Sequence, residues 1–87
     1  MHHPLTIKQL RIYGQYRGDA THVTSRDEAL MKGAWSVINE LVLAIHLVRS
    51  GNASEEFQLR TWETVSTSCD SQESVDALIS LSDRLSE

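Results

Sequence analysis

The sequence predicts an all-α protein: a small bundle of four helices arranged around a long central helix at about residues 26–50. The first observation behind this is the stretch from Asp27 to Ser50, DEALMKGAWSVINELVLAIHLVRS. Read at about 3.6 residues per turn, it lays Leu30, Ala34, Val37, Ile38, Leu41, Ala44, Ile45 and Val48 along one face. Met31, Trp35 and Val42 widen that face, while Lys32, Asn39, Glu40 and His46 lie roughly opposite. Second, helix-capping residues precede each apolar-periodic segment. Third, the chain holds no alternating strand pattern of useful length, no internal repeat and no low-complexity tract.

The elements follow in order. Thr6-Ile7-Lys8-Gln9 reads as a capping box, with Leu5 and Leu10 placed to close a hydrophobic staple over the turn. The first helix is expected from Ile7 to about Arg17, ended by Gly18 in a left-handed conformation. Gly14 weakens its interior by about 1 kcal/mol relative to alanine. Residues 18–24 connect without periodicity. Ser25-Arg26-Asp27-Glu28 then reads as a second capping box that opens the central helix, with Glu28 and Lys32 as an i,i+4 pair. Gly33 is read as tolerated inside that helix, where it would let another backbone approach.

Gly51 suits the position just past the central helix, and Asn52 or Ser54 suits the next cap. The third helix is expected to turn Leu59, Trp62, Val65 and Cys69 inward, with Phe57 at its entry. Asp70 or Ser71 then caps a fourth helix whose inner face is Val75, Leu78, Ile79, Leu81 and Leu85.

Composition narrows the function classes. The 87 residues make one domain, 1–87, with no room for a second core. The net charge of −4 weighs against nonspecific binding to nucleic acid or anionic membranes. The balance is uneven: through Lys32 there are five Lys/Arg and three Asp/Glu, and from Gly33 onward three against nine. Asn39 and Glu40 interrupt the longest apolar stretch, which excludes a membrane-spanning reading. Cys69 is the only cysteine, so no internal disulfide forms, and the opening residues hold no apolar run of secretory length. The expectation is a cytoplasmic protein.

Catalytic and ligand-binding motifs are absent: no phosphate-cradling glycine loop, dinucleotide fingerprint, HExxH or CxxC occurs. Cys69 with His22 or His46 is the one pairing with nucleophile potential, yet its helical spacing from Trp62 and Val65 marks a buried, inert thiol. His2, His3 and His22 lack metal-site spacing. The expectation is therefore no enzyme, no cofactor, no metal and no small-molecule substrate.

Two binding readings remain. The central helix, the SGNA corner and the next helix have rough helix-turn-helix proportions, which would offer Gln58, Arg60, Thr61 and Thr64 to base edges. Glu55 and Glu56 in the leading turn would repel phosphates, so nucleic acid is the alternative and not the first choice. The preferred reading is a noncatalytic protein-protein interaction module, a regulator or inhibitor whose partner is another protein or a second copy in a homodimer. Leu43 and Leu47 carry it. They project away from the apolar stripe, beside Ser36 and Glu40, on the polar side of the longest helix. Either another helix covers them, or they form an exposed seam.

Overall fold

A computed structural model describes residues 3–86, and within them the chain is all-α. Five helices follow in order: α1 Ile7–Gln15, α2 Ser25–Leu30, α3 Ala34–Arg49, α4 Glu55–Ser68 and α5 Gln72–Leu85. The expected helical bundle is present. α3 is its centre: it packs against α1, α4 and α5, and α1 also lies along α5.

α1 opens as its sequence requires. The Thr6 hydroxyl accepts from the Gln9 amide, and the Gln9 side chain accepts from the Thr6 amide. Leu5 and Leu10 are both buried. Leu5 does more than staple. Its amide donates to the Ser68 carbonyl at 2.7 Å, and its carbonyl accepts from the Asp70 amide at 3.0 Å. This single parallel bridge pins the chain before α1 to the corner between α4 and α5. α1 stops at Gln15, two residues before the expected end, because Arg17 and Gly18 both take positive φ.

Gly14 has a packing role in addition to its local cost. A Cβ there would stand 3.1 Å from both Leu81 Cδ1 and Arg84 Nη2, so the missing side chain lets α5 come close.

The central helix departs from expectation at its amino-terminal end. Residues 26–50 do not form one helix, because Gly33 takes φ +77° and serves as the N-cap of α3. The preceding residues form the separate one-and-a-half-turn α2, capped by Thr24 and not Ser25: the Thr24 hydroxyl accepts from the Asp27 amide. Three non-local contacts explain the break. Met31 is swung inward to full burial, Tyr16 donates to the Asp27 carboxylate at 2.8 Å, and Gln9 donates to the Leu30 carbonyl at 3.1 Å. A straight helix would forfeit these, while glycine enters the left-handed region without a Cβ penalty. Leu30 is consequently left at the surface, and no ion pair joins Glu28 and Lys32. Nothing lies within 4 Å of where a Cβ on Gly33 would stand, so its lack of a side chain serves no close approach on that side.

From Ala34 onward the expected stripe holds: Ala34, Ile38, Leu41, Val42 and Ile45 are buried. α4 starts with Ser54 accepting from the Phe57 amide, but its inner face is rotated from the one expected. Thr61, Val65 and Ser68 are buried, Trp62, Cys69 and Phe57 are half-buried, and Leu59 is 66% exposed. α5 is capped by Ser71 and buries Val75, Leu78 and Leu81, with Ile79 and Leu85 partly covered.

Candidate partner-binding face

The rotation of α3 about its axis is set from both flanks. On one flank, Tyr13 donates to Asn39, and Trp35 stacks at a tilt on Tyr13, ring centroids 5.8 Å apart. Tyr16 meets the same indole edge-on at 6.4 Å. Further along, the ring Nε2 of His46 stands 2.9 Å from the Ser82 carbonyl, and Arg49 pairs with Asp83 at 3.0 Å. A carbonyl can only accept, so His46 carries its proton on Nε2. α4 packs on the opposite flank.

These ties leave one arc of α3 uncovered. Ser36, Glu40, Leu43 and Leu47 follow one another at spacings of four, three and four residues, so they share a face. All four are exposed, with Leu43 at 63% and Leu47 at 54%. Neither α1 nor α5 wraps across them. Isolated exposed leucines are ordinary, but an i,i+4 pair on the longest helix forms a continuous apolar strip.

The strip adjoins a groove between α3 and α4. One hollow of about 290 Å³ is bounded by Leu47, Ala53, Ser54 and Phe57. A second, of about 200 Å³, is bounded by Glu40, Leu41, Ala44, Phe57, Arg60 and Thr64 among others. Half-buried Phe57 lines both hollows, which together make up the α3–α4 trough. Size does not single this trough out, because hollows of about 240 Å³ also lie beside Gly33 and between α1 and α5. What distinguishes it is the adjoining pair of exposed leucines. Sequence reasoning took Phe57 only for a core residue at a helix entry. Its i,i+4 spacing from Thr61, itself i,i+4 from Val65, was the available signal.

Two charged residues bound the trough, Glu40 on its α3 wall and Arg60 on its α4 wall. Arg60 is engaged by Glu56 at 2.8 Å. Both partners of that pair are well exposed, so it adds little stability but does neutralise the one cation.

The remaining sequence candidates do not converge. Among the four suggested base-reading residues, Thr61 is 4% exposed, and Gln58 donates to the Ala53 carbonyl. The Thr64 hydroxyl donates to the Arg60 carbonyl. Cys69 is half-buried, and burial, aided by the neighbouring Asp70 charge, pushes its thiol above the ordinary range. His46 is committed to Ser82, and no hydrogen bond joins Cys69 to His22 or His46. His2 lies outside the described residues, and among those described no group of three or more His, Cys, Asp or Glu could hold a metal ion. No described helix is long and apolar enough to cross a membrane. Compared with known proteins, the chain matches no family model, no curated protein and no solved structure.

Proposed function

We propose that this protein is a noncatalytic, cytoplasmic protein-protein interaction module that regulates or inhibits the protein it binds. Its binding surface is the outer face of α3, with Leu43 and Leu47 as apolar anchors and Ser36 and Glu40 beside them. The exposure of the two leucines on a helix whose rotation is pinned from both flanks supports this reading. Full burial of a leucine is worth about 1.5–3 kcal/mol, so covering two half-exposed leucines contributes about 2–3 kcal/mol to association. That is roughly thirtyfold to 150-fold in affinity. A nucleic-acid role is disfavoured by the burial of Thr61, by the committed Gln58 and Thr64 side chains and by the acids around Arg60.

The deciding experiment is affinity capture with the Leu43→Ser/Leu47→Ser double variant beside the wild type. The expected result is an unchanged fold with the partner lost, or an assembly of copies reduced to monomer. Capture that is equally strong with the double variant overturns the assignment of this face. Salt-sensitive retention on DNA, unaffected by the double variant, would move the assignment to nucleic acid.

A further inference from the structure

We propose that the groove between α1 and α5 is a second docking surface, which takes an acidic amphipathic helix supplied by a different protein. The groove shares no lining residue with the α3–α4 trough, so this surface stands independently of the α3 face. It holds a hollow of about 240 Å³ lined by Ile7, Leu10, Ala77 and Leu81, with Arg11 from α1 and Arg84 from α5. Leu10 and Leu81 are buried, and both arginines are exposed. The Arg84 guanidinium is held toward α1, its Nη2 only 3.1 Å from where a Cβ on Gly14 would stand. The bare backbone at Gly14 therefore seats one cation at the groove, and Arg11 supplies the other.

Charge selects the occupant. The two charged residues that bound this hollow have the same sign. Among the described residues neither is in an ion pair, since the two pairs that form belong to Arg49 and Arg60. No Asp or Glu precedes Asp19, so α1 carries Lys8 and Arg11 and no acid. On α5, Asp83 is engaged by Arg49 and Asp76 accepts from Gln72, and neither they nor Glu73 line the hollow. Each guanidinium offers a planar fork of N–H donors that matches a carboxylate. The hollow is smaller than the roughly 300–1,000 Å³ that encloses a small-molecule ligand, and it suits an inserted apolar side chain. A helix laid along a furrow between two packed helices delivers such side chains at i, i+3 or i+4, and i+7, with acids beside them to meet the arginines. A second copy docked here about a twofold axis would set arginines against arginines. A nucleic acid finds no aromatic ring for base stacking among the lining residues, and the net charge of −4 opposes a long polyanion.

The test is fluorescence anisotropy of labelled peptides of about four helical turns against the full chain. The probes are an amphipathic Leu/Glu helix, a Leu/Lys helix with the same apolar spacing, and a scrambled Leu/Glu peptide without an apolar face. The net charge of −4 favours the Leu/Lys probe, so a preference for acid can come only from a local cationic site. The Leu/Glu helix is expected to bind about tenfold or more tighter than either control. Arg11→Gln/Arg84→Gln should remove that preference. Ala77→Phe, which fills the hollow and leaves the charges in place, should weaken binding by about tenfold. Both arginines are exposed, so circular dichroism and melting of the glutamine pair should match the wild type. That pair decides the matter by itself if Ala77→Phe does not fold.

Equal binding of the scrambled peptide, preference of the wild type for the Leu/Lys helix, or indifference to Arg11→Gln/Arg84→Gln overturns the proposal. So does self-association in sedimentation that the glutamine pair dissolves, because a second copy then supplies the acids. A single-stranded DNA oligonucleotide that displaces the Leu/Glu helix from the wild type would give the groove to nucleic acid instead. Leu43→Ser/Leu47→Ser should leave Leu/Glu binding unchanged. Loss of that binding in the double-serine variant would place the peptide on the α3 face and defeat this inference while leaving the α3 reading standing.

Discussion

His46 Nε2 lies 2.9 Å from the carbonyl oxygen of Ser82 and ties the last turn of α5 to the last turns of α3. The same carbonyl already accepts from the Ser86 amide at 3.2 Å within its own helix, so the imidazole occupies its second lone pair. With Arg49–Asp83 one turn on, this contact fixes which side of α3 faces α5 and therefore which side faces outward. It is a constraint on the orientation of Leu43 and Leu47.

Replacing His46 by alanine is expected to cost about 0.5–1.5 kcal/mol, the net worth of one such hydrogen bond, because the Ser82 carbonyl keeps its helical partner. For a domain of this size that lowers the melting temperature by roughly 2–12 °C. An unchanged melting curve would show that the contact does not hold α5 on α3.

Leu41→Ala should destabilise the fold by about 2–5 kcal/mol, since Leu41 is buried at the centre of the α3 stripe. Leu43→Ser, two residues away and exposed, should stay within about 0.5 kcal/mol of the wild type. Urea denaturation of both variants checks the pair. A Leu41→Ala loss below about 1 kcal/mol would place the core elsewhere.

Gly33→Ala tests the break between α2 and α3. Space is not the obstacle, as nothing lies within 4 Å of the added Cβ. The positive φ is, and holding alanine there costs about 1–2 kcal/mol. The expected outcome is destabilisation of that size. Stabilisation would mean that the helix runs straight through and that Met31 is not drawn inward.

Alkaline pH should weaken the fold. Burial raises the Cys69 thiol, and Asp70 adds to the effect; burial also raises the Tyr13 phenol. A folded-state pKa above the unfolded one means that the unfolded chain releases its proton first. The contribution is full below the unfolded pKa and is lost as pH rises through the folded one, here above about pH 9. Melting temperature measured from pH 7 to 11 should decline across the upper part of that range. The same shift predicts slow reaction of Cys69 with a thiol reagent at neutral pH; a fast one would contradict the burial of Cys69.

Local chemistry made most of the elements legible. Thr6 with Gln9, the pair Asn52 or Ser54 and the pair Asp70 or Ser71 announced three helix starts, and the caps that form, by Thr6, Ser54 and Ser71, act through neighbours within one turn. The stripe of α3 from Ala34 to Ile45 was readable because 3.6-residue periodicity depends on nothing outside the helix. The off-stripe position of Leu43 and Leu47 was readable for the same reason.

Questions of rotation and continuity were not legible, because distant partners settle them. The helical pattern runs through Gly33 unbroken, and only the gain from burying Met31 and from the Tyr16–Asp27 and Gln9–Leu30 contacts makes the left-handed turn the better choice. In α4, hydrophobicity favoured Leu59 as an inward residue. The packed helix instead buries the face of Thr61, Val65 and Ser68, a choice that the hydrophobic pattern of α4 does not contain. Whether Leu43 and Leu47 were covered likewise depended on where α1 and α5 pack, which the helix wheel does not contain. The amino-acid order by itself determined that the chain is helical and that Leu43 and Leu47 lie off the stripe of α3. The tertiary structure decided which faces those helices bury, because burial energy belongs to pairs of elements and not to either one alone.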